Sequence, residues 1–420
     1  MIIQSVHKTS MLAVALLLFC GVTATVYADS LVPFWKVQAP EDLPVTGITL
    51  ADDGSRILVH GNQLSVFSRG GERLYGGYAG SVAAMSGDGN YVVSALGQNV
   101  RLIDKDGAEV WTKTMKAPVS HVAISKSASV TVAADTDGDI SSWYLSGGSN
   151  GTMTIEPSKN MALSPAADMI VVATDKGLRF VNPGLFLMWT DNRTDSIDRY
   201  IAFTSEGSTI YTAGGKRVSS HAKDGTLNWQ RMVTTADITS LACSGDGRTV
   251  VVGCQDGKVY ALDMRGIAHT EYKTGGWVNA IGLSQDGTLI AAGSVDRSLT
   301  LLTRNGEVQR ILKTTSIIQP RSIVISNDKS YLVYADQSTI NAYYIEPEVF
   351  IADETATPRP TTFRTTPATT AVPAMTTIET VVTEIPVQTT ATQKSPVSLV
   401  TVAGAVAAVL ALMRRHGDGR

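Results

Sequence analysis

A unit of about 40 residues repeated from Val45 to Ile345, short alternating apolar runs inside each unit, and Ser-x-Asp-Gly turns between those runs predict an all-β fold, an eight-bladed β-propeller. The stretch Val278–Leu302, VNAIGLSQDGTLIAAGSVDRSLTLL, shows one unit clearly. Its apolar segments Val278–Leu283, Leu289–Ala292 and Leu299–Leu302 are split by Ser284-Gln285-Asp286-Gly287 and by Gly293–Arg297, so they read as three strands joined by tight turns. Aligning the turn residue equivalent to Gly287 gives Gly54, Gly89, Ala128, Ala167, Gly207, Gly247, Gly287 and Lys329, separated by 35, 39, 39, 40, 40, 40 and 42 residues. No helical periodicity accompanies the repeat, which sets helical solenoids aside.

Taken in order, residues 1–28 hold Lys8, an apolar run from Met11 to Val22 and a Val26-Tyr27-Ala28 cleavage-like site. The run is too short for a stable span and reads as a secretory signal peptide. Residues 29–350 are the propeller, each unit having strands a to d. The first takes Val45–Leu50, Arg56–His60, Leu64–Ser68 and Arg73–Gly76; the second Val82–Met85, Tyr91–Ala95, Val100–Asp104 and Glu109–Thr112. The third has Val119–Ser125, Val130–Ala134 and Ile140–Tyr144, then an insertion at Gly147–Gly151 before its outer strand. Units four (Met161–Trp189), five (Tyr200–Gln230), six (Ile238–Tyr272) and seven (Val278–Leu312) repeat the plan. The eighth supplies only Ser322–Ser326, Tyr331–Tyr334 and Ile340–Ile345, and Phe34–Gln38 at the other end is expected to complete it, closing the ring without exposed edges. Seven blades is the alternative count if units three and four merge.

Beyond the ring, residues 351–395 contain 15 Thr and 5 Pro and read as an unfolded, extended stalk. Residues 396–413 are uncharged, rich in Val, Ala and Leu, and just long enough for one transmembrane helix. Arg414 and Arg415 follow, which places residues 414–420 in the cytoplasm. The expected location is extracytoplasmic, on a single-pass anchor. A net charge of -3 with 17% charged residues gives no basic footprint, so nucleic acid is not an expected partner.

Three motifs recur: the Ser-x-Asp-Gly turn at Ser86, Ser244 and Ser284, the turn after strand b at Gly293 and at Asp256-Gly257, and Gly-x-x-x-Trp at Gly107–Trp111 and Gly225–Trp229. On these, residues 32–346 resemble the WD-repeat and pyrroloquinoline-quinone (PQQ)-like β-propeller superfamily, and more narrowly the surface-anchored propeller proteins of methanogenic archaea. The resemblance implies scaffolds, ligand binders or dehydrogenases. Neither a Trp-Asp ending nor a Gly-His pair recurs, and Cys243 and Cys254 lie eleven apart where quinoprotein dehydrogenases carry adjacent cysteines. In a hairpin turning at Gly245–Arg248, Cys243 faces Val250 and Cys254 faces Thr239, too far apart for a disulfide, so both read as buried small hydrophobes.

Candidate binding residues are loop residues on one face of the ring, where exposed aromatic and charged side chains on a rigid scaffold favour recognition. The loops from d to a offer Tyr78, Arg193 and Trp277; those from b to c offer Asp256, Asp296 and Arg297, with Asp175, Lys176, Lys216 and Arg217 beside them. Asp135-Thr136-Asp137-Gly138-Asp139 is spaced like a calcium loop but falls at a b-to-c turn and reads as a plain turn. His60, His121, His221 and His269 sit on different strands of different units, so no metal site is expected. Asn150 and Asn192 open glycosylation sequons, expected on surface loops. The sequence therefore supports a surface-anchored, non-enzymatic binding or scaffold module without a cofactor, its partner an envelope protein or a glycan. The alternatives are an extracytoplasmic PQQ-dependent oxidoreductase and a structural cell-envelope protein.

Overall fold

The computed structural model describes residues 31–38, 45–193, 198–337 and 339–346. The expected signal peptide, stalk, transmembrane helix and cytoplasmic tail lie outside the described residues. Contacts divide the chain into units 1–351 and 352–420, and the fold below belongs to the first.

All the described strands fall into eight four-stranded antiparallel sheets. In seven of them the chain passes a, b, c, d in order, over residues 47–79, 82–114, 119–154, 158–191, 200–232, 238–273 and 278–313. The eighth takes Ile318–Ile325, Tyr331–Asp336 and Thr339–Ile345 for a to c, and Leu31–Gln38 as its outer strand. Pairing runs antiparallel from Leu31 opposite Ile345 to Gln38 opposite Thr339. The inner strand of this last blade packs beside that of the first, so the ring is closed. Seven blades is ruled out, because units three and four each form a complete sheet.

Burial follows position in the blade. Strand b is covered on both faces by neighbouring blades, and Val130–Asp135, Ile170–Thr174, Thr249–Cys254 and Tyr331–Asp336 are buried at every residue. That is why these strands read as continuous apolar runs rather than alternating ones. Outer strands such as Val308–Lys313 keep exposed positions. Among the described residues the core falls into eight apolar clusters, each straddling one pair of adjacent blades. One joins Ile57, Val59 and Phe67 of the first blade to Tyr331 and Val333 of the last.

A second inter-blade device repeats at the rim. Trp111, Trp229 and Trp35 each donate their indole N–H to a carbonyl in the c-to-d turn of the next blade, at Leu145 (3.0 Å), Met264 (2.7 Å) and Arg69 (2.8 Å). A glycine of that turn lies against the ring: Gly147 on Trp111, Gly266 on Trp229, Gly71 on Trp35. Each has positive φ, and a Cβ would collide with the indole. Trp189 covers Gly225 in the same way, and Tyr75 covers Gly107. At Thr270 a hydroxyl does the work, donating to Arg304 at 2.9 Å. Trp35 makes this contact across the junction between the two ends of the propeller.

The a-to-b turns are equally uniform. Ser86, Ser244 and Ser284 donate to Asp88, Asp246 and Asp286 at 2.6, 2.6 and 2.7 Å. Each serine oxygen also accepts the backbone N–H that opens strand b. The eight aligned turn residues all have positive φ, from 55° at Ala128 to 70° at Gly54 and Gly287. Ala128, Ala167 and Lys329 hold this left-handed conformation with a Cβ, which costs about 1 kcal/mol or more each.

Three expectations change. Gly147–Gly151 is no insertion: the c-to-d turn spans 145–148, and the outer strand Ser149–Thr154 begins inside the supposed insert. Cys254 faces Ile238 rather than Thr239, because a bulge falls between Ile238 and Ser240; Cys243 does face Val250. Asn150 lies on that outer strand rather than on a loop, its side-chain amide donating to Pro183 at 2.9 Å.

Three substitutions test these devices. Ala128→Gly or Ala167→Gly should raise stability by about 0.5–1 kcal/mol, as relief of backbone strain outweighs the added freedom of the unfolded chain. Trp35→Ala should lower it by about 3 kcal/mol. Urea unfolding of the three variants is the check; an unchanged midpoint for Trp35→Ala would mean that the closing strand holds without its indole.

Candidate functional site

At the centre of the ring the inner strands of blades four to eight surround a cavity of about 670 Å³. Its floor is built from a-strand residues such as Met161, Ile201, Leu241 and Ile281. Asn160, Thr239, Ser240 and Asn279 alternate with them and present hydrogen-bonding groups. Lys159, Arg199 and Arg321 add three cations, and no carboxylate lines the space. Lys159 is paired with Asp175 at 3.0 Å.

Arg321 owes its place to the largest bulge in any inner strand. Ile318 faces Asp336 and Ile323 faces Tyr334, so five steps of one strand oppose two of the other. The corresponding bulge in blade seven, Val278 to Ala280 against Ser294 to Gly293, has one extra residue where blade eight has three. Two residues therefore separate blade eight from the common plan. They match the spacing of 42 rather than 40 between Gly287 and Lys329. The bulge is held by Ser322, which donates to Gln319 and Ala335, and by Asn279, which donates to the Ile318 carbonyl at 3.1 Å. Arg321 itself adopts φ 58°, a conformation that costs free energy in a non-glycine residue.

The charge of Arg321 reaches across the ring. Burial, and after it Arg321, push His60 of blade one and His121 of blade three from the ordinary imidazole range down to about 4. Burial raises the Tyr200 phenol of blade five, while Arg321 and Arg199 oppose the rise. Both histidines are therefore neutral at neutral pH. His121 Nδ1 lies 3.0 Å from the Ser158 hydroxyl and His60 Nδ1 lies 3.2 Å from that of Thr46.

Of the sequence candidates, the structure gathers three at the mouth. Trp277, 54% exposed, lines the cavity. Asp296 accepts the Gly275 N–H at 2.9 Å and fixes the loop that carries Trp277, while the Val295 N–H donates to the Trp277 carbonyl. Asp256 caps its own turn by accepting the Lys258 N–H at 3.0 Å, and Gly257 of that turn packs against Gly276. Arg297 occupies the turn after Asp296 with φ 62°.

The others lie elsewhere. Tyr78 sits on an outer strand, not a loop, with its hydroxyl on the Gly107 carbonyl of the next blade and Arg101 over its ring. Arg193 is bound to Asp191, which also meets His221 at 3.1 Å. Burial alone would raise Asp191, but bonds from His221 and Arg193 hold it well below the usual carboxylate range. This cluster ties blade four to blade five.

Arg199, directly ahead of the inner strand Tyr200–Phe203, and Arg321, inside the bulged inner strand Ile318–Ile325, were both missed in the sequence. The spacing of 42 was the only signal.

The two described cysteines and the Asp135–Asp139 turn bear on the catalytic alternative. The Cys243 thiol, pushed up to about 12 by burial and by Asp246, donates to Phe203, and Cys254 is pushed up to about 12 by burial. These two thiols cannot supply the adjacent pair of a quinoprotein, and neither is a ready nucleophile. In the Asp135–Asp139 turn, Asp135 accepts the backbone N–H groups of Asp137, Asp139 and Ala117, while Asp139 pairs with Lys116 and Thr154. Among the described residues no His, Cys, Asp and Glu cluster is placed to hold a metal ion.

Residues 230–261 and 267–301 match the family described as WD domain, G-beta repeat. The two matched segments lie in tandem. Each match starts at the outer strand of one blade and continues through a, b and c of the next, the phase that leaves the first strand of the chain to finish the last blade. Solved structures share the fold. The Dos1 propeller is similar with a TM-score of 0.64 and 13% identity, over 76% of this chain and 96% of that one. The computationally designed Ika8 protein gives 0.64 and 15%, over 75% and 100%. Chaetomium thermophilum Sqt1, solved with the N-terminus of the ribosomal protein L10, gives 0.63 and 12%, over 73% and 98%. No curated protein matches the chain in sequence.

The depressed histidines set a pH dependence. The unfolded chain takes up protons on His60 and His121 below about pH 6.5 while the folded one resists until about 4, so their stability is complete above 6.5 and lost as pH falls through that window. The expected outcome is a Tm lower by a few degrees at pH 5 than at pH 7, with a shallower drop in His121→Gln. Equal slopes for both proteins would exclude His121 as a contributor. Asp296→Ala should speed amide exchange at 274–277 by about tenfold or more without lowering global stability, measured by hydrogen-exchange mass spectrometry.

Proposed function

We propose that the chain is a non-enzymatic interaction module that seats a partner protein at the mouth of the central cavity. One observation carries the reading: a half-exposed Trp277, on a loop pinned by Asp296, stands at the rim of a cavity of about 670 Å³. A rigid exposed aromatic beside a concave, mixed polar and apolar surface is where binding energy concentrates. WD40 propellers commonly bind proteins, and the similar Sqt1 propeller was solved with a protein N-terminus.

The finer reading comes from the sequence. The propeller is exported, stands outside the membrane on its Thr/Pro-rich stalk, and meets an envelope component; a protein suits the many hydrogen-bonding groups of the cavity better than a glycan does. A purely structural envelope role would instead require regular self-association.

A photo-crosslinking residue at position 277 in the native host tests the docking reading, with position 144, exposed on strand c, as control. A discrete adduct at 277 and none at 144 is the expected outcome. No adduct at 277, or the same adducts at both positions, would remove the mouth as the docking site. Membrane fractionation with external protease should release the propeller from intact cells; full protection would refute surface exposure.

A further inference from the structure

The cations of the cavity are set out differently from other charges in the molecule. Surface lysines and arginines such as Lys126, Lys223, Lys258 and Arg265 lie within 4 Å of carboxylates. Arg199 and Arg321 line the cavity without a hydrogen bond or ion pair from their guanidinium groups to any described residue. The carboxylates near the mouth are occupied: Asp175 by Lys159, Asp296 by the Gly275 amide and the Ser298 hydroxyl, Asp256 by the Lys258 amide. Asp198, next to Arg199, is turned to Thr212 at 2.8 Å. Two unneutralised guanidinium groups thus share one concavity, and one is delivered by a strained three-residue bulge present in no other blade. Bulges of this kind re-aim a side chain, and strain is retained where the surrounding structure over-determines it.

We propose that this cavity recognises carboxylates: Arg199 and Arg321 hold Asp or Glu side chains of an acidic segment of the partner protein. The inference rests on the docking reading above. Guanidinium groups pair with carboxylates through two parallel N–H···O bonds, and removing such a pair from bulk water strengthens it. The rest of the lining fits an extended peptide rather than a small anion. Asn160, Thr239, Ser240, Gln255 and Asn279 offer partners for its backbone, and the Trp277 ring covers its apolar side chains. A phosphate would satisfy the arginines and leave most of the cavity unused.

The test uses the intact protein with three fluorescent, terminally blocked peptides of equal length: oligoglutamate, oligolysine, and an alternating Gly-Ser sequence. Anisotropy should show oligoglutamate binding, weakened by added salt. Arg199→Gln with Arg321→Gln should weaken it by about tenfold or more, whereas Arg199→Lys with Arg321→Lys should retain part of the affinity. Melting curves certify that each variant is folded, and because Arg199 and Arg321 have no partners among the described residues the Tm should be unchanged or raised. Oligoglutamate binding that survives the double Gln variant overturns the proposal. So does inorganic phosphate raising the Tm where oligoglutamate does not bind. Oligolysine or Gly-Ser peptide binding that depends on Trp277 would preserve the docking site and overturn its acidic specificity.

Discussion

Closure of the ring is the constraint on which everything else depends. Each blade buries its middle strands only because a neighbour covers each face, and among the described residues every apolar cluster is shared between two blades. An open array would leave two such faces, one on the first blade and one on the last, and the edge of Thr339–Ile345 in water. The chain avoids this by a one-strand offset, Leu31–Gln38 completing the sheet begun at Ile318. Trp35 then places its indole on the turn of blade one, as Trp111 and Trp229 do within the ring. The ends are thus joined by the same contact that joins consecutive blades.

That rigidity makes the central cavity possible. Eight inner strands converge with their backbone partners satisfied, so side chains at the axis can be chosen for something other than packing. The chain places there an amide-rich lining and two arginines without a side-chain partner among the described residues. His60 of blade one and His121 of blade three are held down by burial and, after it, by Arg321. The same lining would be costly in a core, where an unpaired guanidinium lacks both water and counter-charge. In an open cavity water can solvate it.

Polar groups elsewhere in the fold are matched locally. The Ser–Asp pairs of the a-to-b turns, the Asp191, Arg193 and His221 cluster, and Arg179 with Glu156 each satisfy their own charge or hydrogen bonds. Against that background, Arg199 and Arg321 differ in having no side-chain partner among the described residues.

The sequence alone determined the architecture, because its signals are local and repeat. The turn residues Gly54 to Lys329 announced eight units, every one proved left-handed, and the missing strand of the last unit pointed to residues 34–38. It also named Trp277 and Asp296 from turn chemistry, and the structure puts Trp277 on the cavity lining and Asp296 against the Gly275 amide. It misjudged details set by register: the bulge that moves Cys254 opposite Ile238, and the turn and outer strand that share Gly147–Gly151 between them. Only the tertiary structure decided that Tyr78 and Arg193 serve contacts between blades, and that Lys159, Arg199 and Arg321, from three different repeats, meet in one cavity. Those residues share no spacing along the chain; the ring alone brings them together, because convergence at an axis is a property of closure and not of any single unit.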